Sequence, residues 1–185
     1  SVSAGDSFLQ ILPTVPEQRV SALEQVVFAA VARARESIKI ATPYFIPGPG
    51  LRMALIHASS RGVRVELVLP THTDVRITLW AARSYYAEMV DAGIRVYEYD
   101  RGVVHSKIMT VDDRWCMLGS ANMDVRSFRL NFEITALVYD PAIAAKLSAY
   151  VDRFAQQAVA VTPREVYGRP VAHQVLEGTA RLLAP

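Results

Sequence analysis

Residues 105–113 read HSKIMTVDD, an imidazole and an ammonium two positions apart at the head of an apolar, β-branched run. In an extended strand, successive side chains alternate faces, so His105 and Lys107 point the same way, about 7 Å apart. Beyond a turn, Gly119-Ser120-Ala121-Asn122 repeats the arrangement with a hydroxyl and a carboxamide of one parity. Gly119 has no Cβ, which lets the backbone come close to a ligand. If the two strands are hairpin neighbours, imidazole, ammonium, hydroxyl and carboxamide converge, a set of donors suited to the oxygens of a phosphate. The imidazole adds what lysine cannot: it titrates near neutral pH and can attack as a nucleophile or pass a proton. Glu133 is the candidate partner for its second ring nitrogen, where a carboxylate would fix the tautomer. Asp112 lies an odd number of residues from Lys107, so an unbroken strand turns it away and gives it a structural or turn role.

The flanking pattern supplies the elements that position this set. SFLQIL (7–12) reads as a strand ending at Pro13. Apolar residues Leu23, Val26, Val27, Ala30, Val31, Ala34 and Ile38 line one face of a helix over 21–38, with Ser21 and Glu24 as a capping box. A strand over 38–45 is closed by Pro-Gly-Pro-Gly. A helix follows over 51–62, then a strand over 63–70, a helix over 74–91 and a strand over 94–100, with Gly62 and Gly93 as stop signals. Three strands without helices come next, then a helix of roughly 16 residues from Pro141. This order predicts an α/β fold, a mixed β-sheet sandwiched between helices, over residues 1–162. Residues 163–185 read as a tail with a short helix. In such sheets ligands gather at strand ends, and Tyr44, His72 and Asp74 fall there as possible site-lining residues. His57 and His173 read as structural or exposed.

Of 185 residues, 51% are hydrophobic and 21% charged, and the net charge is +2. The basic excess is too mild for a polybasic nucleic-acid or membrane protein, and it permits an anionic substrate. The single cysteine, Cys116, excludes an internal disulfide and reads as a small buried hydrophobe, as expected in a reducing compartment. No apolar run of about 18 residues is present to span a bilayer. SVSAGDSF has neither the basic start nor the apolar core of a signal peptide. A first residue other than Met raises the expectation that the chain is part of something longer.

The full spacing is H-x-K, four residues, Asp, six residues, G-S-x-N, carried by His105, Lys107, Asp112, Gly119, Ser120 and Asn122. It resembles the HKD motif of the phospholipase D superfamily. With TPYF (42–45), RGVRVELVLP (61–70), AGIRVYEYD (92–100) and SFRLNFEITALVYD (127–140), the chain resembles the C-terminal catalytic half of bacterial cardiolipin synthases. GRP (168–170) and RLLAP (181–185) fit the end of those enzymes too.

The resemblance implies a mixed sheet between two helix layers and a covalent phosphohistidine intermediate, with no metal and no cofactor. One histidine attacks phosphorus, and a second, from a second copy of the motif, protonates the leaving alcohol and activates the incoming one. Carried onto this chain, His105 is the acid/base partner, with nucleophile as the other option. Lys107 and Asn122 bind phosphate, Ser120 assists, Glu133 orients His105, and Asp112 enters as the motif's aspartate. Only His105 of the four histidines sits in an H-x-K, so either a second copy as homodimer or an N-terminal half supplies the other motif. The implied partners are phosphatidylglycerol or another anionic phospholipid and a membrane surface. The implied location is the cytoplasmic face of the bacterial cell membrane, with this domain peripheral. Two alternatives stand beside phosphatidyl transfer: a homodimeric phosphodiesterase or nuclease, disfavoured by the mild charge, and a half-domain inert in isolation. Arg126 is expected to pair with Asp124, while Arg129 has an anionic headgroup or Glu133 as options. The tail 171–183 is expected to pack on the domain rather than rest on a membrane, because its polar face (His173, Glu177, Arg181) is weakly basic.

Overall fold

The computed structural model describes residues 6–16 and 21–184. The first five residues of SVSAGDSF and the last of RLLAP lie outside them. In chain order the elements are β1 (Phe8–Thr14), α1 (Ala22–Arg33), β2 (Ser37–Ala41), β3 (Phe45–Ile46), α2 (Pro49–Ser60), β4 (Arg64–Pro70), α3 (Arg76–Arg83), α4 (Tyr86–Asp91) and β5 (Arg95–Tyr99). There follow β6 (Ile108–Val111), β7 (Trp115–Gly119), β8 (Met123–Asp124), α5 (Val125–Arg129), β9 (Glu133–Tyr139), α6 (Pro141–Gln157), β10 (Val159–Ala160), α7 (Pro163–Tyr167) and α8 (Val171–Leu183).

Eight strands form one mixed sheet in the order β1-β9-β7-β6-β2-β4-β5-β10. β2, β4 and β5 run parallel, and β2 pairs antiparallel with β6 on its other side. Alternation along the strands sends Ile38, Ile40, Leu67, Met109, Met117 and Leu137 into the larger core. The opposite face carries Ala41, Val68 and Ile108, which meet Leu147 and Val151 of α6. Lys39 also faces α6, and its buried ammonium is bonded to Ser148 Oγ (2.8 Å) and to Asp152 (2.7 Å). The α/β architecture with helices on both faces is therefore as expected.

Four boundaries differ from expectation, each for a local reason. β1 runs through Pro13 to Thr14, which an edge strand tolerates because a missing N–H can face outward. α1 stops at Arg33 rather than 38: the amides of Arg35, Glu36 and Ser37 are taken by the Asp112 carboxylate at 2.8–3.2 Å instead of by helical carbonyls. Of the expected capping box, Ser21 Oγ accepts from the Glu24 amide, but the Glu24 carboxylate is paired with Arg129. The strand expected over 38–45 breaks at Pro43, and Phe45–Ile46 leaves to pair with β8 in a separate two-stranded ribbon. The helix expected over 74–91 is two helices: Ser84 Oγ bonds back to the Ala81 carbonyl at 2.6 Å at the bend.

Among its described residues the tail holds two helices, α7 and α8, rather than one short helix. β10 adds an edge strand to β5, and α8 packs along α3. α8 docks by its polar side: Glu177 is buried against Arg169 (3.1 Å), and Arg181 lies over the Tyr85 ring at 4.2 Å. Val171, Val175, Leu182 and Leu183 stay exposed. Packing on the domain is as expected, through the face expected to be solvated.

The β6–β7 hairpin turns at Asp112 and Asp113, both at positive φ (55° and 51°), as a type I′ turn requires. At its other end, a Cβ on Gly119 would lie 2.2 Å from the Ile134 carbonyl oxygen. The close approach that Gly119 permits is therefore to the β9 backbone, not to a ligand as expected. Gly119→Ala should lower stability by about 2–3 kcal/mol, and Asp112→Ala, which strands three amides, by at least ~2 kcal/mol. Denaturant unfolding measures both, and a loss under about 0.5 kcal/mol in either would remove the role assigned here.

Candidate active site

Because β2 and β4 run parallel while β6 returns antiparallel, one edge of the sheet gathers several strand ends. These are the carboxyl ends of β2, β4, β5 and β7 and the amino ends of β6 and β9. This is where strand direction switches, the usual ligand position in open α/β sheets. Tyr44 follows β2, His72 and Asp74 follow β4, His105 and Lys107 precede β6, Ser120 and Asn122 follow β7, and Glu133 opens β9.

His105 and Lys107 are not on a strand, as alternation suggested. Residues 103–107 are irregular, and β6 begins only at Ile108. His105 is exposed, and the half-buried Lys107 turns its ammonium to the His105 carbonyl at 2.9 Å. Hairpin pairing of Ile108 with Leu118 then brings the Lys107 carbonyl to the Gly119 amide. His105, Lys107, Ser120 and Asn122 all lie at one end of the hairpin, with the Ser120 and Asn122 side chains bonded to Glu133 and Ser127. Burial lowers the Lys107 amine from its ordinary value, and the charges of Glu133, Asp74 and Asp124 oppose that shift.

Glu133 is the chief departure. Ser120 Oγ donates to one of its carboxylate oxygens and Asn131 Nδ2 to the other at 3.1 Å, with no bond to His105. Both backbones lock this corner: the Ser120 amide donates to the Ile134 carbonyl and the Ile134 amide to Ser120 Oγ, each at 3.0 Å. Asn122 Nδ2 reaches Ser127 Oγ at 3.3 Å, and its Oδ1 is buried without a partner. The donor expected to meet phosphate is thus engaged and an acceptor left bare; a half-turn of the carboxamide exchanges them.

Asp112 does not join the site. It follows the far end of β6, about 16 Å along the strand from Lys107, and its carboxylate is spent on the amides of 35–37. It is held at the turn, away from the site, which agrees with the structural or turn role expected of it and not with a catalytic one. His57 on α2 and His173 on α8 are exposed and remote from this edge in the element order. Arg126 makes no ion pair among the described residues, and Arg129 pairs with Glu24 at 2.8 Å rather than with Glu133.

Tyr44 and Asp74 meet directly: the phenol donates to Asp74 Oδ1. Burial, reinforced by that bond, pushes the Tyr44 hydroxyl up to about 12. The same bond holds the Asp74 carboxyl below its usual range, with a smaller contribution from His105. Sequence reasoning missed Asp124 and Ser127 as site supports. Asp124 is buried, caps α5 by accepting from the Ser127 amide, and burial raises its carboxyl. The signal was the Asp-x-x-Ser spacing of a helix start, masked by the interest in Arg126 as partner. Cys116 is buried and its thiol pushed up to about 11 by burial, which makes it inert. No group of three or more His, Cys, Asp or Glu among the described residues is arranged to hold a metal.

The surface around this edge is apolar: Val103, Leu118, Leu130, Phe132 and Ile134 are exposed.

A mixed sheet between helix layers, with an H-x-K and a G-S-x-N at its switch edge, is the phospholipase D-like fold. Nuc from Salmonella typhimurium, a phospholipase D family member, superposes with a TM-score of 0.70 at 23% identity, over 84% of this chain and 99% of that one. Phosphatidylserine synthase from Haemophilus influenzae gives 0.75 at 20% identity, over 95% of this chain and 46% of its own. These two establish the fold. The family model for the PLD-like domain of cardiolipin synthase matches residues 27–155, and the chain belongs to that family. It is 37% identical along its whole length to cardiolipin synthase of Alkalihalophilus pseudofirmus, and 38% identical over 96% of its length to cardiolipin synthase 2 of Bacillus cereus. The chain spans a little over a third of the length of these curated relatives, 37% and 34%.

The Tyr44–Asp74 bond makes a titration prediction. Tyr44→Phe removes the donor that holds the carboxyl down, so the Asp74 midpoint should rise toward the ordinary carboxylate value, read by carboxyl-carbon NMR. A midpoint that does not move would show that the phenol does not set it.

Proposed function

We propose that this chain is one half of a two-motif phosphatidyltransferase that makes cardiolipin and glycerol from two phosphatidylglycerols. The observation that carries the proposal is the unbroken likeness to cardiolipin synthases over the whole chain, with His105, Lys107, Ser120, Asn122 and Glu133 in place. The exposed apolar residues around His105 suit a docking surface for a second motif-bearing module.

In this reading the second module's histidine attacks phosphorus. The P–N bond forms, the P–O bond to glycerol breaks, and His105 gives its proton to the departing alkoxide. A hydroxyl of the next phosphatidylglycerol then loses its proton to His105 and attacks the phosphohistidine, breaking P–N. Lys107 and the turned Asn122 amide neutralise the equatorial oxygens, and Lys107, held between His105 and the site carboxylates, is placed for that. Glu133 acts through Ser120, keeping its hydroxyl aimed along the β7–β9 corner.

No helix among the described residues is long and apolar enough to cross a membrane. Work at the cytoplasmic face of the cell membrane would then use surface contact by this domain. The outward Val171, Val175, Leu182 and Leu183 of α8 offer apolar area for it.

The test is product analysis on phosphatidylglycerol vesicles, for the chain and for His105→Ala, with and without a second motif-bearing module. Cardiolipin formed only with the added module, and reduced about 10²–10⁴-fold in the variant, is the expected result. Turnover by the chain alone would mean that two copies build the site. Cleavage of single-stranded DNA with no lipid turnover would replace the assignment with a nuclease. A folded, silent mixture would leave a phosphate-binding half-domain.

A further inference from the structure

His105 forms part of the wall of two cavities. One, of about 470 Å³, is walled mainly by Ile11, Ile108, Leu118, Ile134 and Ala136, with Lys107 at its edge. The other, of about 330 Å³, is walled by Pro43, Pro70, Val103 and Val104, with His72, Thr73 and Asp74. A phosphodiester held beside His105 and Lys107 has two ester arms that leave phosphorus in different directions. Both are walled largely by apolar surface, and the second differs in carrying a carboxylate, Asp74, and a hydroxyl, Thr73, beside His105.

The second cavity places an acceptor, the Asp74 carboxylate, in the wall that His105 shares. Asp74 Oδ1 accepts from the Tyr44 phenol, and the backbone amides of Asp74 and Val75 also favour the ionised carboxylate, which lies exposed at the cavity wall. An ionised carboxylate has only acceptors to offer, so an anionic group there would be repelled while a hydroxyl would be bound. The loop carrying it is fixed beforehand. The Thr71 amide and hydroxyl both donate to the Tyr99 carbonyl (3.0 and 3.2 Å), and Thr73 Oγ1 accepts from the Val75 amide at 3.0 Å. The phenol keeps Asp74 charged, consistent with its lowered carboxyl.

We propose that this compartment is the alcohol subsite, where Asp74, held by Tyr44, binds the hydroxyls of the glycerol headgroup that leaves and of the polyol that replaces it. Asp74 is therefore a specificity determinant for polyhydric over monohydric acceptors. The inference rests on the phosphatidyl-transfer proposal. It also separates Asp74 from a purely electrostatic aid to the imidazolium, which would serve every acceptor, water included, alike.

The experiment uses the chain assembled with its second module, phosphatidylglycerol vesicles, and isotope-labelled glycerol or ethanol as competing acceptor. The readouts are label incorporation into phosphatidylglycerol, or into phosphatidylethanol for the ethanol arm, and hydrolysis to phosphatidic acid. Asp74→Asn should lower transfer to glycerol about 10- to 100-fold relative to hydrolysis and leave the ethanol-to-hydrolysis ratio within about twofold. Tyr44→Phe, which keeps the carboxylate, should shift the same ratio in the same direction by less; it keeps the test alive if Asp74→Asn fails to fold. Glycerol and ethanol transfer falling in parallel, or neither ratio moving, would overturn the subsite. No turnover of any kind by the unmodified assembly would remove the phosphatidyl-transfer proposal and this one with it; normal transfer with unmoved ratios would remove this one alone.

Discussion

Three consecutive amides, those of Arg35, Glu36 and Ser37, end on one carboxylate, Asp112. That single clasp ends α1, starts β2 and ties it to the turn of the β6–β7 hairpin. It sets the register that puts Ala41 opposite Ile108. Everything at the other end of the hairpin inherits that register: His105 and Lys107 come beside the loops that follow β2 and β4, and Ser120 and Asn122 fall next to them. A residue some five positions from the chemistry thus fixes where the chemistry sits. A charged acceptor satisfying three donors that would otherwise be orphaned is among the stronger local constraints available to a chain.

The order of elements was legible because periodicity distinguishes a half-buried helix from a strand. Ile38 and Ile40 alternate with Lys39 and Ala41, and Leu23, Val27 and Val31 share one helix face. What periodicity could not show is competition for backbone amides. The early end of α1, the bend at Ser84 and the break at Pro43 each follow from a side chain or ring taking a partner away from a repeating pattern. The parity of Asp112 was legible and right, whereas its place in the motif suggested a role in catalysis that its three amide bonds exclude.

The residues of the site were legible from spacing, but their bonding was not. Glu133 was expected at the imidazole and is found between Ser120 and Asn131. Gly119 was expected to admit a ligand and admits the β9 backbone. Both depend on which strand lies beside β7, and sequence order gives no hint of it: β9 follows a ribbon strand and a short helix before returning. The Tyr44–Asp74 bond spans thirty positions and two separate strand ends, so only the parallel pairing of β2 with β4 makes it possible.

α8 inverts the usual arrangement of an amphipathic helix. Its contact with the body is a guanidinium–carboxylate pair, Arg169 with Glu177, and two cations on aromatic rings, Arg169 on Tyr86 and Arg181 on Tyr85, along with the small residues Ala180 and Ala184. The large apolar side chains are already in water. Lifting the helix off would hydrate charged groups, whose exposure lowers the heat capacity, together with Ala180 and the Tyr85 ring, whose exposure raises it. The two contributions oppose, so release of this helix would leave a smaller calorimetric mark than release of an amphipathic helix docked by its apolar face, and amide exchange along residues 171–183 would report it directly.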